Sequence, residues 1–517
     1  MKNFICCWLL ALVSSLCCAQ KRNNAWIFGN NAKLIFSNSS VTVDSAICNT
    51  RGTCTSICDT SGELLFYTYN LTAIQGFYGT YIRNNSDSSL KNSDSVYSRA
   101  WYKQHVIIPF PTNDSMYYLI HAPVTGNNGF YYSIIDMSQD SGRGAVIQKN
   151  VQLQGSTFWA NDGITAIKHG NGRDWWVMVR DWQNYNNKFY YYSVTPAGIT
   201  LDHVQYIGDT VKSSFYRIEA SDDGEKVACI ANQGLISVFD FDRCGGWLSN
   251  EINIEYQNPN TNLIPWYWDC ELSPNKRYLY VSQAYSDFDT TNYLLRFDLQ
   301  AANIPASRDT LYAGEESAVA GLIELAPDGK IYWACAYNPP GTFFYPYPDS
   351  THNYITDNLS VINYPDSSNC DFQPFSFYLG GKRTYYGLPN NPNYELGRLY
   401  GSPCDTLQWT NLTPGPSPME RGAIQCTYIS AWEKLFVNAQ NLKGKHLTIT
   451  IYDATGKVKF SRGKPPVGAC PDRSVGGLGV FGGYFTLDVD CSGWASGLYV
   501  VHLQTEKEML STKFVKE

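Results

Sequence analysis

Apolar and polar positions alternate along most of this chain, and one device recurs: an apolar run, a polar turn, then a second run rich in Tyr, Phe or Trp. The turns centre on Gly62, Asp114, Gly172, Gly224, Asn275, Gly329 and Gly381, spaced 52, 58, 52, 51, 54 and 52 residues apart. Period-two alternation bounded by Gly, Asn and Asp predicts antiparallel hairpins, because these residues accept the positive φ of tight hairpin turns. The copies include TSICDTSGELLFYT (Thr55 to Thr68), GITAIKHGNGRDWWVMVR (Gly163 to Arg180), YRIEASDDGEKVACIAN (Tyr216 to Asn232) and GLIELAPDGKIYWACA (Gly321 to Ala336). A third run usually follows, as in GFYYSIIDM (Gly129 to Met137) and LISVFDFD (Leu235 to Asp242). Three or four strands per ~50 residues predict one propeller blade.

The fold expected is therefore all-β, a seven-bladed β-propeller over residues 24–400. A solenoid is the alternative, but its coils are normally shorter than this period. Trp26 to Val43 reads as strands ahead of the first repeat, and the seventh repeat runs out soon after Leu388. The N-terminal strands are expected to complete the last blade, leaving no open sheet edge. Pro-rich TNLTPGPSPMERGA marks an extended linker within residues 401–425. Residues 426–517 then read as a small β-sandwich with a hairpin at Asp453–Gly456, interrupted by a Gly/Pro-rich insertion from Arg462 to Gly482.

Composition adds location. Residues 1–19 read as a secretory signal peptide: Lys2, an apolar run from Phe4 to Leu16, then small residues before Gln20. The run is too short for a membrane anchor, a lipoprotein through Cys17 or Cys18 is the competing reading, and no later segment is apolar enough to span a bilayer. Cleavage after Ala19 removes four of the 16 cysteines and leaves 12, an even number that suits disulfides in an exported protein. Cys229 and Cys244, in one repeat, are the expected local bridge. A net charge of −7 gives no basic footprint for nucleic acid. The cysteine and histidine spacings match no metal-binding pattern, so neither metal nor cofactor is expected.

Residues Leu447 to Lys516 resemble the type IX secretion C-terminal sorting domain of Bacteroidota (type A-like). The likeness rests on LTITIYDATGKV, DCSGWASGLYVVHL and the closing KFVK, with Asp453, Gly456, Lys457, Gly497, Tyr499, Lys513 and Lys516 at the motif positions. Trp494 stands where a Leu is common, the usual Pro-Asn-Pro near the domain start is absent, and the insertion breaks the middle. The resemblance implies export through the periplasm, delivery by the type IX machinery to the cell surface or medium, and a tail read as an address. WIFGNNAKLIFS, SGELLFYT and YYGLPN are also similar to phrases in exported Bacteroidota proteins carrying this tail, which implies architecture only.

Candidate chemistry is sparse. Glu219, Asp269, Glu271 and Glu324 lie in or just before the first strand of their repeats, where side chains line a propeller channel. Carboxylates about 5–10 Å apart would suit glycoside cleavage; the plainer reading pairs them with backbone or Arg at the channel rim. SDDGEK (Ser221 to Lys226) lacks the Thr-Trp that completes a sialidase Asp-box and reads as a structural turn. Tyr and Trp in WYKQH (Trp101 to His105), DWQNYNN (Asp181 to Asn187) and IPWYWD (Ile264 to Asp269) either pack between blades or offer platforms for a sugar or peptide. The sequence favours a binding or interaction protein taking a glycan or protein ligand. An exported polysaccharide-acting enzyme is the alternative, and a purely structural surface component a third reading.

Overall fold

The computed structural model describes residues 21–405 apart from 38–39, 72–79, 98–100, 124–128, 233, 257–263, 285–290, 315–316 and 339–350, and residues 423–429, 434–440, 447–453, 457–464, 479–481, 484–505 and 509–516 of the C-terminal part. The expected signal peptide, most of the expected Pro-rich linker, Gly456 and most of the Gly/Pro-rich insertion lie outside the described residues. The chain divides into two compact units, one of Gln20–Thr406 and one that takes in Leu407–Glu517. Both are all-β, and among the described residues no helix is long and apolar enough to cross a membrane.

In the first unit β1 (Ala25–Phe28), β2 (Asn30–Phe36), β3 (Val41–Cys58), β4 (Leu64–Leu71) and β5 (Thr80–Asn84) form one sheet in chain order. Five four-stranded sheets follow, each also in chain order. They are β6–β9 (His105–Phe110, Asn113–His121, Phe130–Asp136, Ala145–Gln154) and β10–β13 (Thr165–Lys168, Trp175–Arg180, Asn186–Thr195, Gly198–Val211). Next come β14–β17 (Tyr216–Ala220, Lys226–Ala231, Leu235–Asp242, Trp247–Tyr256) and β18–β21 (Trp266–Leu272, Tyr278–Ala284, Asn292–Asp298, Asp309–Gly314). The last is β22–β25 (Ala318–Leu325, Ile331–Tyr337, Asn358–Ile362, Phe372–Tyr378). Neighbouring strands are antiparallel throughout, as in the hairpins β6–β7 and β14–β15.

The hairpin turns sit close to where the apolar pattern places them. Gly62, Gly172, Gly224 and Gly329 have φ of 100°, 76°, 70° and 76°. Beside Asn275 it is Lys276, φ 60°, that takes the left-handed conformation. The second turn lies ahead of Asp114, which is already inside β7. The seventh hairpin does not form: Phe372–Tyr378 is the fourth strand of its sheet, and residues 379–405 contain no strand. Nor do the N-terminal strands join that sheet. They pair with the first half of β3, whose residues 41–49 face β2 while residues 50–58 face β4.

Two of the second strands are buried along their length: every residue of β11 (WWVMVR) and β19 (YLYVSQA) is buried. Such runs read as continuous apolar stretches because both faces pack against neighbouring sheets. Chain start and last sheet share one core, in which the Trp26 ring lies 6.0 Å from that of Tyr332. Each fully buried large apolar side chain contributes about 2–3 kcal/mol.

Residues 379–405 act as a strap across the sheets. Arg383 exchanges backbone hydrogen bonds with Asn30 (2.8 and 3.3 Å), and the Tyr386 N–H donates to the Arg51 carbonyl (3.1 Å). The Leu322 N–H donates to the Tyr386 carbonyl (2.6 Å), and the Leu399 N–H to Gly170 (2.7 Å). Gly387 lies directly on Gly52, where a Cβ would collide with backbone. The strap is tied down by a disulfide between Cys244 and Cys404. This corrects the expected Cys229–Cys244 bridge: Cys229 is a buried free thiol on β15, one of eight free cysteines among the described residues. Burial raises the Cys229 thiol pKa to about 12.

The C-terminal unit holds two four-stranded antiparallel sheets. Its strands are β26 (Ala423–Ile429), β27 (Lys434–Gln440), β28 (Leu447–Asp453), β29 (Val458–Lys464), β30 (Gly479–Phe481), β31 (Tyr484–Asp490), β32 (Gly497–Thr505) and β33 (Met509–Lys516). The sheet orders are β26-β27-β31-β30 and β29-β28-β32-β33. The resemblance motifs therefore lie on adjacent strands. Asp453 accepts the Lys457 N–H (3.0 Å), Gly497 pairs with Lys516, and Lys513 pairs with Val500. Tyr499 donates its hydroxyl to the Ala495 carbonyl (2.6 Å), and the Lys516 ammonium donates to Cys491 (2.8 Å) and Trp494 (2.9 Å).

Candidate functional site: an acidic cavity at the ends of the inner strands

Three inner strands from consecutive sheets each deliver carboxylates to one place. Glu219 is the fourth residue of β14, Asp269 and Glu271 are the fourth and sixth of β18, and Glu324 is the seventh of β22. Asp269 and Glu271 share a face because side chains alternate along a strand. Three of the four sequence candidates, Glu219, Asp269 and Glu324, contact one residue that the sequence reading passed over, Lys103 of the WYKQH stretch, and Glu271 lies within its field. The Lys103 Nζ lies 2.7 Å from Glu219, 3.1 Å from Glu324 and 3.3 Å from Asp269. A lysine just ahead of the apolar run His105–Ile108, at the channel position of the carboxylates, was the available signal.

Backbone groups satisfy part of the cluster and tie sheets together. Asp269 accepts the Ile323 N–H (3.0 Å) and Glu271 accepts the Leu325 N–H (2.8 Å), both from the next sheet. Glu271 also accepts the Leu272 N–H (2.8 Å). The plainer reading is thus half right: backbone partners are present, and the cation is a lysine. Four carboxylates nevertheless lie in the field of one ammonium, and burial penalises the excess charge. Burial raises the Glu219, Glu271 and Glu324 pKa values, with Lys103 opposing the rise for each and neighbouring carboxylates reinforcing it. For Lys103, burial alone would lower the pKa; Asp269, Glu219, Glu324 and Glu271 outweigh it and hold the ammonium charged.

Above the cluster lies a cavity of about 550 Å³. Glu219, Asp222, Asp223, Glu271, Glu324 and Glu395 line it, and its described lining contains no Lys, Arg or aromatic side chain. Asp222 and Asp223 come from the SDDGEK turn, where the Ser221 hydroxyl donates to Asp223 (2.7 Å). The strap supplies the other wall, Asn390 to Gly397. Asn390 donates to the carbonyls of His105 and Ile164 (both 2.9 Å), Asn391 accepts the Thr55 hydroxyl (2.8 Å), and Asn393 donates to the Asp222 carboxylate (2.7 Å). Asn390, the last residue of the phrase YYGLPN, is therefore part of the wall holding this cavity.

The opposite ends of the same strands are aromatic. Tyr102 and Trp268 rings lie 5.2 Å apart, Phe215 lies 5.2 Å from Trp268, and Tyr386 lies 5.5 Å from Trp268. Arg51 stacks on Tyr386 (4.9 Å) and Arg217 on Tyr102 (5.3 Å), with Asp162 3.5 Å from Arg217. Burial raises the Asp162 pKa to about 7, against the pull of Arg217. Among the aromatic loops read from the sequence, Tyr102, Tyr267 and Trp268 are packed, whereas Trp266 and Tyr185 are exposed. No sugar platform borders the cavity.

No family model matches the chain, and no curated protein matches it. Among solved structures, a protein from Lactobacillus plantarum is 12% identical, covering 71% of this chain and 98% of that one at a TM-score of 0.43. A periplasmic gluconolactonase from Pseudomonas aeruginosa shows the same identity, coverage and score. A putative 6-phosphogluconolactonase from Bacteroides uniformis is 13% identical, covering 65% of this chain and 91% of that one at 0.40. These scores are too low to carry an argument, and the reading of function rests on the chain's own residues.

Proposed function

We propose that this chain is an exported, cell-surface β-propeller that binds a positively charged ligand in the acidic cavity. One observation carries the reading: six carboxylate side chains line the cavity and no basic or aromatic one does. Such a wall repels anions, gives neutral sugars no stacking surface, and focuses cations. The ligand is a glycan or protein that presents amino or guanidino groups. Seven blades are supported by the division of β3 between two partners, which with the five later sheets makes seven stacks, the first and last sharing one core. A C-terminal sandwich with a type IX address is supported by the motif strands β28, β32 and β33 lying side by side. Export is tested in a Bacteroidota host by deleting residues 509–516, after which the chain is expected to stay in the periplasm; delivery unchanged sinks the address.

The alternative is an exported polysaccharide-acting enzyme, favoured by the raised pKa values of Glu219 and Glu324 at the cavity. One screen separates the readings. The full chain is offered lysine-rich peptide, amino-sugar oligosaccharide, and neutral and acidic polysaccharide, scoring both retention and release of reducing ends. Retention of the cationic probes without turnover is expected. Reducing ends appearing over time would reverse the assignment, and equal retention of acidic polysaccharide would remove it.

A further inference from the structure

Glu219, Glu271 and Glu324 occupy corresponding places on three consecutive inner strands, and one carboxylate oxygen of each lies within 4.8 Å of the other two. Oxygens bound to one calcium ion at about 2.3–2.6 Å lie at most about 4.6–5.2 Å apart, whereas around magnesium, at about 2.0–2.1 Å, the limit is about 4.2 Å. Separations within that bound are of the order found between oxygens of a calcium shell, whose geometry is flexible where that of magnesium is strictly octahedral. The chemistry of the triad also matches: three hard oxygen donors, with neither thiolate nor imidazole among them.

Two further observations point to a cation as the ligand. Glu324 is 94% buried by its 6% exposure, yet its Oε2 receives no hydrogen bond, and its one close partner is Lys103 at 3.1 Å. Glu271, 3% exposed, has only backbone N–H partners and no lysine or arginine nitrogen within 4.0 Å among the described residues. The ammonium thus serves the Glu219, Asp269 and Glu324 side of the cluster and leaves Glu271 without an ionic partner. One divalent ion would bring four carboxylates and one ammonium close to balance, the condition under which buried charge is tolerated. The cavity opens directly onto Glu219, Glu271 and Glu324 and gives room for the waters or ligand oxygens that fill the remaining places of a calcium shell, which takes about six to eight oxygens in all.

We propose that Glu219, Glu271 and Glu324 hold one calcium ion on the floor of the cavity. The inference rests on the acidic cavity as the binding site and names calcium as its resident positive charge, above which a larger ligand docks.

The test is calcium titration by calorimetry on the full, chelator-dialysed chain, with magnesium in a parallel arm and thermal melts with and without each ion. A single saturable calcium site is expected, with at least a several-fold preference over magnesium and a higher Tm with calcium. Glu271→Gln is expected to weaken calcium by roughly tenfold or more, because ligand charge sets affinity in such sites. That variant also disturbs two backbone hydrogen bonds, so Glu219→Gln, whose carboxylate touches the Lys103 side chain and no neighbouring sheet backbone, is measured alongside and is expected to show the same loss. No calcium binding by the folded chain, equal affinity for magnesium, or unchanged affinity in both variants would overturn the proposal. Lysine-rich peptide retained by a chain that ignores calcium would sink the calcium site alone; calcium bound by a chain that ignores the peptide would sink the cationic-ligand reading alone.

Discussion

At their C-terminal ends, β14, β18 and β22 present Glu219, Glu271 and Glu324 to an open cavity. At the N-terminal ends of the first two, Arg217 and Trp268 close against Tyr102, Phe215 and Tyr386. The same strands therefore carry a hollow acidic pole and a filled aromatic pole. Rings fill the second because flat side chains occupy the space between converging sheets, and two guanidinium groups stack on them. The first stays open because carboxylates repel one another and the strap crosses it through short polar side chains. Filled aromatic space stabilises a fold; charged empty space waits for a partner.

The strap spans both poles, and its removal gives the largest expected effect. The Cys244–Cys404 bridge closes a loop of 160 residues. Replacing both cysteines by Ser is expected to cost about 5 kcal/mol in denaturant unfolding by the loop-entropy relation. If the poles differ as described, hydrogen exchange near Asn390–Leu396 should accelerate more than exchange near Tyr102 and Trp268. Uniform acceleration would break the comparison.

Next comes pH at the aromatic pole. Burial holds the Asp162 carboxyl at about 7 when folded, against roughly 3.9 when unfolded. Between those values the folded state binds the extra proton, so its stability is greatest below about pH 4 and falls as pH rises towards 7. A shift of this size corresponds to about 4 kcal/mol. Asp162→Asn should remove that slope from urea midpoints measured between pH 4 and 8; an unchanged slope would place the titration elsewhere.

Smallest is the acidic pole's own clamp. Lys103→Met strips the ammonium from Glu219, Asp269 and Glu324. Loss of one member of a buried ion network costs about 3–5 kcal/mol, and the value expected here is about 3 kcal/mol because the glutamates take up protons in its place. Denaturant midpoints at pH 5 and pH 8 check this: the loss should be smaller at pH 5. Equal loss at both would show that the carboxylates do not share protons.

Much of the fold was legible because hairpin turns and period-two alternation are local signals. Gly62, Gly172, Gly224 and Gly329 all sit at positive φ where the pattern places them. The seventh repeat misled because Gln373 to Leu388 has the apolar-turn-apolar rhythm of a hairpin, while its second half satisfies its backbone by bonding to Arg51, Asn30 and Leu322 from distant sheets. The disulfide misled for a related reason: Cys229 and Cys244 are near in sequence, but Cys229 is buried on β15 while Cys244 meets the strap.

Sequence alone determined the all-β class, the hairpins and the four channel-facing carboxylates, since each follows from side-chain alternation within a single strand. Tertiary structure alone decided that Glu219, Asp269 and Glu324 share one lysine, that the strap from Asn390 onwards walls a cavity over them, and that the aromatic rings of the loops stay out of its described lining. These facts depend on contacts between residues 116 or more positions apart, such as Lys103 with Glu219, 116 apart, and Asn390 with His105, 285 apart. Separations of that size leave no periodic trace along the chain, because no local rule sets which distant side chains meet.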